Sequence, residues 1–265
     1  MTTVFDNPLV RSMLFYPRAA LPKYTDKLTG PISDGTIAID ETVALGYRLY
    51  CQGYRSPLIV YFHGNGEIAA DHDETAELYA RIGLSLLVID YRGYGWSTGQ
   101  ANVSTLLADM TPVYKALPGL LQHHQIANAP LFLMGRSLGS ACAIHLAHEH
   151  PDGFHGLIIE SGFTELLKLS IVPSALGKVT EPINNVQKMR DIQLPLLVIH
   201  GEKDTLIPVD HGQALFDASP AAVKRIIRIE AAGHNDLLRY GISTYFEALK
   251  QFVGDSGVKL DDPKS

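Results

Sequence analysis

"LFLMGRSLGSACAIHLAHEH", residues 131–150, joins an apolar run to an alanine-rich segment through a short turn. The apolar run is typical of a buried strand, and residues 138–149 are typical of a helix. Between them stands Gly-x-Ser-x-Gly, with Ser137 flanked by Gly135 and Gly139. Two glycines permit a turn too tight for larger side chains, and such a turn raises the serine hydroxyl clear of the sheet. The stretch therefore predicts a nucleophile elbow between a strand and a helix.

The rest of the chain alternates in the same way between strand-length apolar runs and segments of helical period. The predicted strands are 45–51, 58–62, 85–90, 131–135, 157–161, 196–200 and 225–230. The predicted helices are 71–82, 103–117, 138–149, 209–218 and 239–253. Most of the strand runs are continuously apolar, as in strands buried on both faces of a parallel sheet, whereas 45–51 alternates like a half-buried strand near a sheet edge. This order predicts an α/β fold with a mostly parallel, doubly wound sheet and flanking helices.

One connection departs from the pattern. Segment 163–192 is longer and less regular than the other crossovers, and Pro173 and Gly177 interrupt its apolar residues. We interpret it as a small lid of short helices over the carboxyl edge of the sheet, with an ordinary irregular crossover as the equal alternative. The chain is expected to form a single domain, 1–265, that ends in a polar tail at 254–265.

Composition excludes several classes of protein. A formal net charge of −6 without a Lys/Arg cluster argues against a nucleic-acid partner. Cys51 and Cys142 are the two cysteines, and their spacing excludes a disulfide scaffold or a zinc ribbon. The N-terminus does not have the pattern of a signal peptide, and no apolar run is long enough for a transmembrane segment. We therefore expect a cytoplasmic protein.

The ends of two later strands carry the partners that a serine nucleophile requires. Asp204 follows the strand in "LPLLVIHGEKDTLIP", and His234 follows the last strand in "RIIRIEAAGHNDLL". Ligands of such sheets bind outside the carboxyl ends of the strands, so both side chains should reach Ser137. We predict His234 as the base that accepts the serine proton and Asp204 as the acid that orients the imidazole. Glu160, at the end of an earlier strand, is the alternative acid.

An early strand ends in "FHGNGE", whose glycines let the backbone approach a substrate carbonyl. The predicted oxyanion hole consists of the N–H groups of Asn65 and Leu138, with Gly66 as the alternative first donor. The residues expected to line the substrate pocket are Gly64, Gly66, Trp96 and Phe163. We expect no metal site and no cofactor, because the histidines of 145–150 lie at the far end of the elbow helix, away from the carboxyl edge.

Six motifs between about residues 58 and 236 together resemble one family: "FHGNGE", "IDYRGYGWSTG", "GRSLGS", "IIESGFT", "HGEKDTLIPVDHG" and "AAGHND". The chain is similar to serine α/β-hydrolases, and in detail to the small, cap-poor alpha/beta-hydrolase domain-containing proteins that include protein depalmitoylases. The resemblance implies the α/β-hydrolase fold, a catalytic triad of Ser137, Asp204 and His234, and an acyl-enzyme route.

These observations predict a serine hydrolase that acts on a small-molecule ester or thioester. Because the lid is modest, we expect small to medium acyl groups, carried as an acyl-enzyme on Ser137. Two alternatives stay open at this point. The acyl group could be transferred to an acceptor other than water, or the pocket could bind a ligand without catalysis.

Overall fold

The computed structural model describes residues 7–24, 31–169 and 181–258. Within these ranges, eight strands form one sheet in the order β1-β2-β4-β3-β5-β6-β7-β8. The strands are β1 (Ile32–Ala38), β2 (Ala44–Tyr50), β3 (Leu58–Phe62), β4 (Ser85–Ile89), β5 (Leu131–Arg136), β6 (Gly156–Glu160), β7 (Leu196–Gly201) and β8 (Lys224–Ile229). β2 is antiparallel to both of its neighbours, and the remaining pairs are parallel. The α/β-hydrolase architecture predicted from the sequence is confirmed.

Helices cover both faces of this sheet. They are α1 (Pro8–Leu14), α2 (Asp73–Arg81), α3 (Val103–Ala108), α4 (Met110–His123), α5 (Gly139–Glu149), α6 (Asn185–Met189), α7 (Val209–Ala218) and α8 (Leu237–Asp255). The buried side chains of α2 and α8 belong to one hydrophobic core, and those of α1 and α3–α7 belong to the other. The sheet is therefore the middle of three layers, and its carboxyl edge is left open to loops.

Strand β3 shows why the central strands have continuous apolar sequences. Leu58, Val60 and Phe62 point into one core, whereas Ile59 and Tyr61 point into the other. All five residues are buried. Because side chains alternate across a strand, a sheet covered on both faces requires an apolar residue at every position.

The edge of the sheet differs from the prediction. β2 lies next to the edge strand, as was expected for 45–51, but it is almost wholly buried and not half-buried. The edge strand itself, β1, was not predicted. The sequence of β1, "ISDGTIA", contains Asp and Gly, which are depleted in strands. Asp34 is tolerated because the guanidinium of Arg48 in β2 donates hydrogen bonds to both of its carboxylate oxygens, at 2.6 and 2.7 Å.

Helix boundaries also differ. The predicted helix 103–117 is two helices, α3 and α4, which meet at Asp109. Arg92 donates two hydrogen bonds to the carboxylate of Asp109, at 2.6 and 2.7 Å. The short helix α1 was not predicted, and α6 falls within 163–192, where short helices were expected without bounds, because five to seven residues are too few to show a helical period. Helix α8 runs to Asp255, so the predicted polar tail at 254–265 begins inside it.

The described ends of segment 163–192 lie against each other. An isolated bridge joins Glu165 to Asn184, and the carboxylate of Glu181 accepts backbone N–H hydrogen bonds from residues at both ends. Residues 170–180 of the predicted lid lie outside the described residues. The part that is described covers one side of the carboxyl edge, as a lid or an irregular crossover would.

Replacing Arg48 should destabilise the fold strongly. The side chains of Arg48 and Asp34 are fully buried, so Arg48→Met would leave a buried carboxylate without its cation, held among the described residues only by the backbone N–H groups of Lys23 and Tyr24. Removal of one partner of a buried ion pair costs about 3–5 kcal/mol, and urea denaturation should show a loss of that size. Arg225→Met is the matched control, because Arg225 and its partner Asp255 are largely exposed and its loss should leave the midpoint nearly unchanged. Equal midpoints for the two variants would contradict the role of Arg48.

Candidate active site

The turn around Ser137 is as tight as the glycine pattern predicts. Ser137 has a φ of 51°, a region that few non-glycine residues adopt. A Cβ on Gly135 would lie 2.3 Å from the carbonyl oxygen of Gly139, and a Cβ on Gly139 would lie 2.0 Å from the carbonyl oxygen of Phe62. Neither position can accept a side chain. Strand β5 and helix α5 therefore meet in an elbow with Ser137 at its tip.

His234 and Asp204 lie beside this serine. His234, in the loop between β8 and α8, has its Nε2 3.0 Å from Ser137 Oγ. Its Nδ1 is 2.7 Å from Oδ2 of Asp204, which follows β7. A proton on Nδ1 that is donated to the carboxylate leaves the Nε2 lone pair directed at the serine hydroxyl. The structure thus joins the three side chains in one hydrogen-bonded chain that can accept the serine proton.

Asp204 is held as a carboxylate by its surroundings. Its Oδ1 accepts backbone N–H hydrogen bonds from Leu206 at 3.0 Å and Ile207 at 2.8 Å. Burial by itself would raise the pKa of Asp204, but hydrogen bonds from His200, His234 and the Ile207 N–H outweigh it and hold the pKa well below its usual range. An ionised Asp204 is what stabilises an imidazolium during proton transfer.

Glu160, the alternative acid, has other partners. Its Oε1 accepts a hydrogen bond from Arg136 at 3.0 Å, and its Oε2 accepts one from the hydroxyl of Tyr245 at 2.6 Å. Burial raises the pKa of Glu160 despite the opposing charge of Arg136. The structure does not bring this carboxylate to His234.

Arg136 is a residue of the site that sequence reasoning missed. It occupies the variable position of the Gly-x-Ser-x-Gly pattern, so no motif marks it. Its guanidinium pairs with Glu67 and Glu160 and also donates to the His234 carbonyl oxygen at 2.9 Å. The side chain is only 12% exposed. One cation therefore connects the elbow to the loops after β3 and β8.

The predicted oxyanion residues belong to two different elements next to the serine. Leu138 directly precedes α5, and Asn65 belongs to the loop after β3; both line the cavity that contains Ser137 and His234. The Asn65 side chain is itself fixed, because its Nδ2 donates to the Leu14 carbonyl oxygen at 2.9 Å. The N-terminus of α5 also directs its dipole towards this point, which favours an anion.

The cavity next to Ser137 is apolar and small, with a volume of about 270 Å³. Apolar side chains form most of its wall, among them Leu14, Phe15, Leu106, Phe163, Leu166 and Ile183. Ser137, His234 and Asn235 lie on its polar side. An acyl chain could occupy the apolar part while its carbonyl group rests against the serine.

Comparisons with known proteins identify the family of the chain. The family model described as "Serine aminopeptidase, S33", a Hydrolase_4 family, matches residues 55–186. Alpha/beta hydrolase domain-containing protein 17B of Homo sapiens is 30% identical over 224 residues, which cover 81% of this chain and 74% of that protein. The chain belongs to the alpha/beta-hydrolase domain-containing family.

Two solved structures share the fold of this alpha/beta hydrolase. An esterase of Pyrococcus furiosus superposes with a TM-score of 0.69 at 19% identity, covering 90% of this chain and 98% of the esterase. A monoacylglycerol lipase of Paleococcus ferrophilus gives a TM-score of 0.61 at 18% identity, covering 81% and 99% of the two chains. At these identities, the likeness concerns the fold.

One predicted pocket residue of the hydrolase lies elsewhere. Trp96 donates its indole N–H to the carbonyl oxygen of Gly35 at 2.9 Å, and the Arg48 guanidinium lies 5.5 Å from its ring centroid. The prediction that Trp96 lines the substrate pocket is therefore wrong. The glycine-rich loop after β4 turns back towards the β1–β2 edge. It is held there by hydrogen bonds that the Ser97 hydroxyl and the backbone N–H groups of the loop form with β2 and with residues next to β2.

The other predicted pocket residues divide into two groups. Phe163 lines the cavity, but Gly64 and Gly66 lie beside it and not among its lining residues. A Cβ on Gly64 would lie 2.4 Å from a guanidinium nitrogen of Arg136, so this glycine permits the close approach of Arg136. Gly66 has a φ of 82° and accepts a hydrogen bond from Arg18 at 2.7 Å. Both glycines shape the loop and do not contact the cavity.

Residues 7–24, 31–169 and 181–258 hold neither a candidate metal centre nor a candidate membrane span. These ranges contain no group of three or more His, Cys, Asp or Glu side chains placed to hold a metal ion. Within the same ranges, no helix has the length and apolar character to cross a membrane.

Asp204→Asn should lower the stability of the hydrolase in a pH-dependent way. Because the folded-state pKa of Asp204 lies below its ordinary value of 3.8, ionisation stabilises the fold above that pH. This stabilisation is lost as the pH falls through the folded-state pKa. The deficit of the variant in urea denaturation should therefore be largest near neutral pH and shrink towards about pH 2.5. A deficit that stays constant over the series would show that the carboxylate charge does not contribute.

Proposed function

We propose that this alpha/beta hydrolase is a serine esterase or thioesterase that cleaves small to medium acyl groups through an acyl-enzyme on Ser137. The observation that carries the proposal is the hydrogen-bonded chain from Ser137 through His234 to Asp204 at the mouth of a small apolar cavity. A nucleophile, a base and an ionised acid next to an apolar cavity fit the transfer of an apolar acyl group.

The first half of the reaction forms the acyl-enzyme. Ser137 Oγ attacks the acyl carbonyl carbon while His234 Nε2 takes the hydroxyl proton, and Asp204 stabilises the resulting imidazolium. The backbone N–H groups of Asn65 and Leu138 hold the oxyanion, each contributing about 3 kcal/mol of transition-state stabilisation. When the tetrahedral intermediate collapses, the bond between the acyl carbon and the leaving group breaks. The imidazolium gives its proton to the departing oxygen of an ester or the departing sulfur of a thioester.

Water completes the cycle. His234 removes a proton from the incoming water as its oxygen attacks the acyl carbon, and a second oxyanion forms in the same place. Collapse breaks the bond to Ser137 Oγ, which regains its proton from the imidazolium. The products are a carboxylic acid and the free serine.

The charge of the cavity favours an ester over a peptide with a free amino terminus. An aminopeptidase must bind the substrate ammonium group, for which a carboxylate is the usual partner. None of the described residues that line the cavity is Asp or Glu. Glu67 and Glu160, the nearest carboxylates to the elbow, are already paired with Arg136.

The size of the cavity supports the preference for shorter acyl groups. A volume of about 270 Å³ lies just below the range for small-molecule sites, which is about 300 to 1,000 Å³. Phe163, Leu166 and Leu169, from the described part of segment 163–192, close one side of it. We propose that this segment acts as the lid over the acyl chain.

Ser137→Ala should abolish the reaction. Without the hydroxyl, turnover of p-nitrophenyl butanoate should fall at least about 10⁴-fold, and a fluorophosphonate should no longer label the protein. Mass spectrometry of the labelled peptide identifies the reactive residue. Labelling of Ser137→Ala at the parental rate would overturn the proposal.

Asp204→Asn and Glu160→Gln distinguish the two candidate acids in the same assay. The first variant should lose about 10⁴-fold in turnover, because its amide no longer orients and stabilises the imidazole as a carboxylate does. The second keeps hydrogen-bonding groups for Arg136 and Tyr245 and should retain most activity. The opposite order would assign the role of the acid to Glu160.

A chain-length series should peak at short to medium acyl groups. We expect kcat/KM for p-nitrophenyl esters to be highest between butanoate and octanoate and to decline towards palmitate, because the cavity is too small for the longer chain. An acyl-CoA series tests thioesters in the same way, and added alcohol shows whether any acyl group passes to an acceptor other than water. A maximum on palmitate would contradict the size argument.

A further inference from the structure

The side chain of Phe15 lies between two cavities. It is only 4% exposed and follows directly after α1. On one side it lines the cavity that contains Ser137, and on the other it lines a second cavity of about 300 Å³ beneath α1. Of the described residues, Phe15 alone lines both cavities. Its aromatic ring therefore forms the partition between two spaces of similar volume.

The backbone on each side of Phe15 is held by hydrogen bonds. The carbonyl oxygen of Leu14 accepts a hydrogen bond from Asn65 Nδ2 at 2.9 Å, and the N–H of Tyr16 donates to Asn65 Oδ1 at the same distance. The hydroxyl of Tyr94 also donates to Asn65 Oδ1, at 2.6 Å. The side-chain amide of Asn65 thus forms hydrogen bonds with the backbone on both sides of Phe15. The partition is therefore fixed relative to the loop that carries a proposed oxyanion donor.

The second cavity is partly open to solvent, as an outlet of the first cavity would be. Phe15 and Ala101 give it a buried apolar wall, whereas Pro17 is exposed and Arg11 is half-buried. Ser12 and Gln100, also in its wall, are exposed to solvent. A linear aliphatic chain that passed the position of the Phe15 ring would therefore first contact apolar groups and then reach a partly open rim.

We propose that Phe15 sets the upper limit of acyl-chain length by closing the acyl cavity, and that the cavity beneath α1 is a latent extension of the acyl subsite. The ligand class of this extension is the distal part of a linear, saturated acyl chain. The inference rests on the proposed esterase or thioesterase function. Phe15 lies in the wall of the cavity and outside the Ser137–His234–Asp204 chain, so its role is to determine specificity and not to take part in the chemical steps.

Phe15→Ala tests the partition. We expect the ratio of kcat/KM for p-nitrophenyl dodecanoate to that for butanoate to rise at least about tenfold over the parent, the lower end of what one additional accommodated methylene is worth in an apolar pocket. A change in butanoate turnover enters the denominator of this ratio, so the ratio reports chain-length preference and not overall activity. Active sites are counted by titration with a fluorophosphonate, so a partly unfolded preparation does not distort the ratio.

Two further variants separate the opening of the second cavity from a general loosening of the wall. Ser12→Phe places a ring in the second cavity from an exposed position of α1; alone it should leave the parental profile unchanged, and combined with Phe15→Ala it should restore the parental ratio. Leu166→Ala removes a similar side chain from the acyl cavity without touching the second one. It should raise the ratio less than Phe15→Ala does.

Each outcome decides a different point. If the parent turns over butanoate and Phe15→Ala shows the parental ratio, the partition role is wrong and the proposed function stands. A gain that persists in the Ser12→Phe double variant excludes the second cavity as the extension. If the parent is labelled at Ser137 but cleaves no ester or thioester, the proposed function and this inference both fail. Should Phe15→Ala not fold, Phe15→Leu carries the same expectation with a smaller rise, and an unchanged ratio there overturns it.

Discussion

One buried guanidinium fixes the relative positions of the loops that meet at the active site. Arg136 directly precedes Ser137 in the chain, pairs with Glu67 and Glu160, and donates to the carbonyl oxygen of His234. Hydrogen bonds between charged groups are stronger than neutral ones, and burial strengthens them further. The two carboxylates neutralise the cation that the fold has buried, so the elbow, the loop after β3 and the histidine loop share one set of contacts.

The side-chain amide of Asn65 fixes the wall of the cavity at Ser137, as Arg136 fixes the loops that carry the catalytic groups. It ties the segment at Leu14–Tyr16 to the loop after β3, although more than forty residues separate them. The wall of the cavity and the proposed oxyanion donor are consequently parts of one rigid unit. Phe15 belongs to the same unit. The residue proposed to limit the length of the acyl cavity is therefore fixed relative to the proposed oxyanion donor.

Much of this organisation was predictable from local sequence patterns. The central strands were found because a sheet covered on both faces requires continuous apolar runs, as β3 shows. β1 was missed because Asp34 and a glycine interrupt its pattern, and the compensation comes from Arg48 on the neighbouring strand. A charged residue whose partners lie in another strand and in a distant segment of the chain leaves no local signal. Trp96 was misplaced for a related reason, since the direction in which a loop turns is decided by the strand edge to which it bonds.

The sequence by itself determined the elbow, the alternation of strands and helices, and the order in which Ser137, Asp204 and His234 follow their strands. Each of these depends on neighbouring residues, through backbone freedom at glycine and the periodicity of apolar side chains. Only the tertiary structure decided that Arg136 would join the three loops and that Phe15 would line both the cavity at Ser137 and the cavity beside α1. Both depend on contacts between segments far apart in the chain, and close packing in three dimensions selects those contacts without leaving a pattern along the sequence.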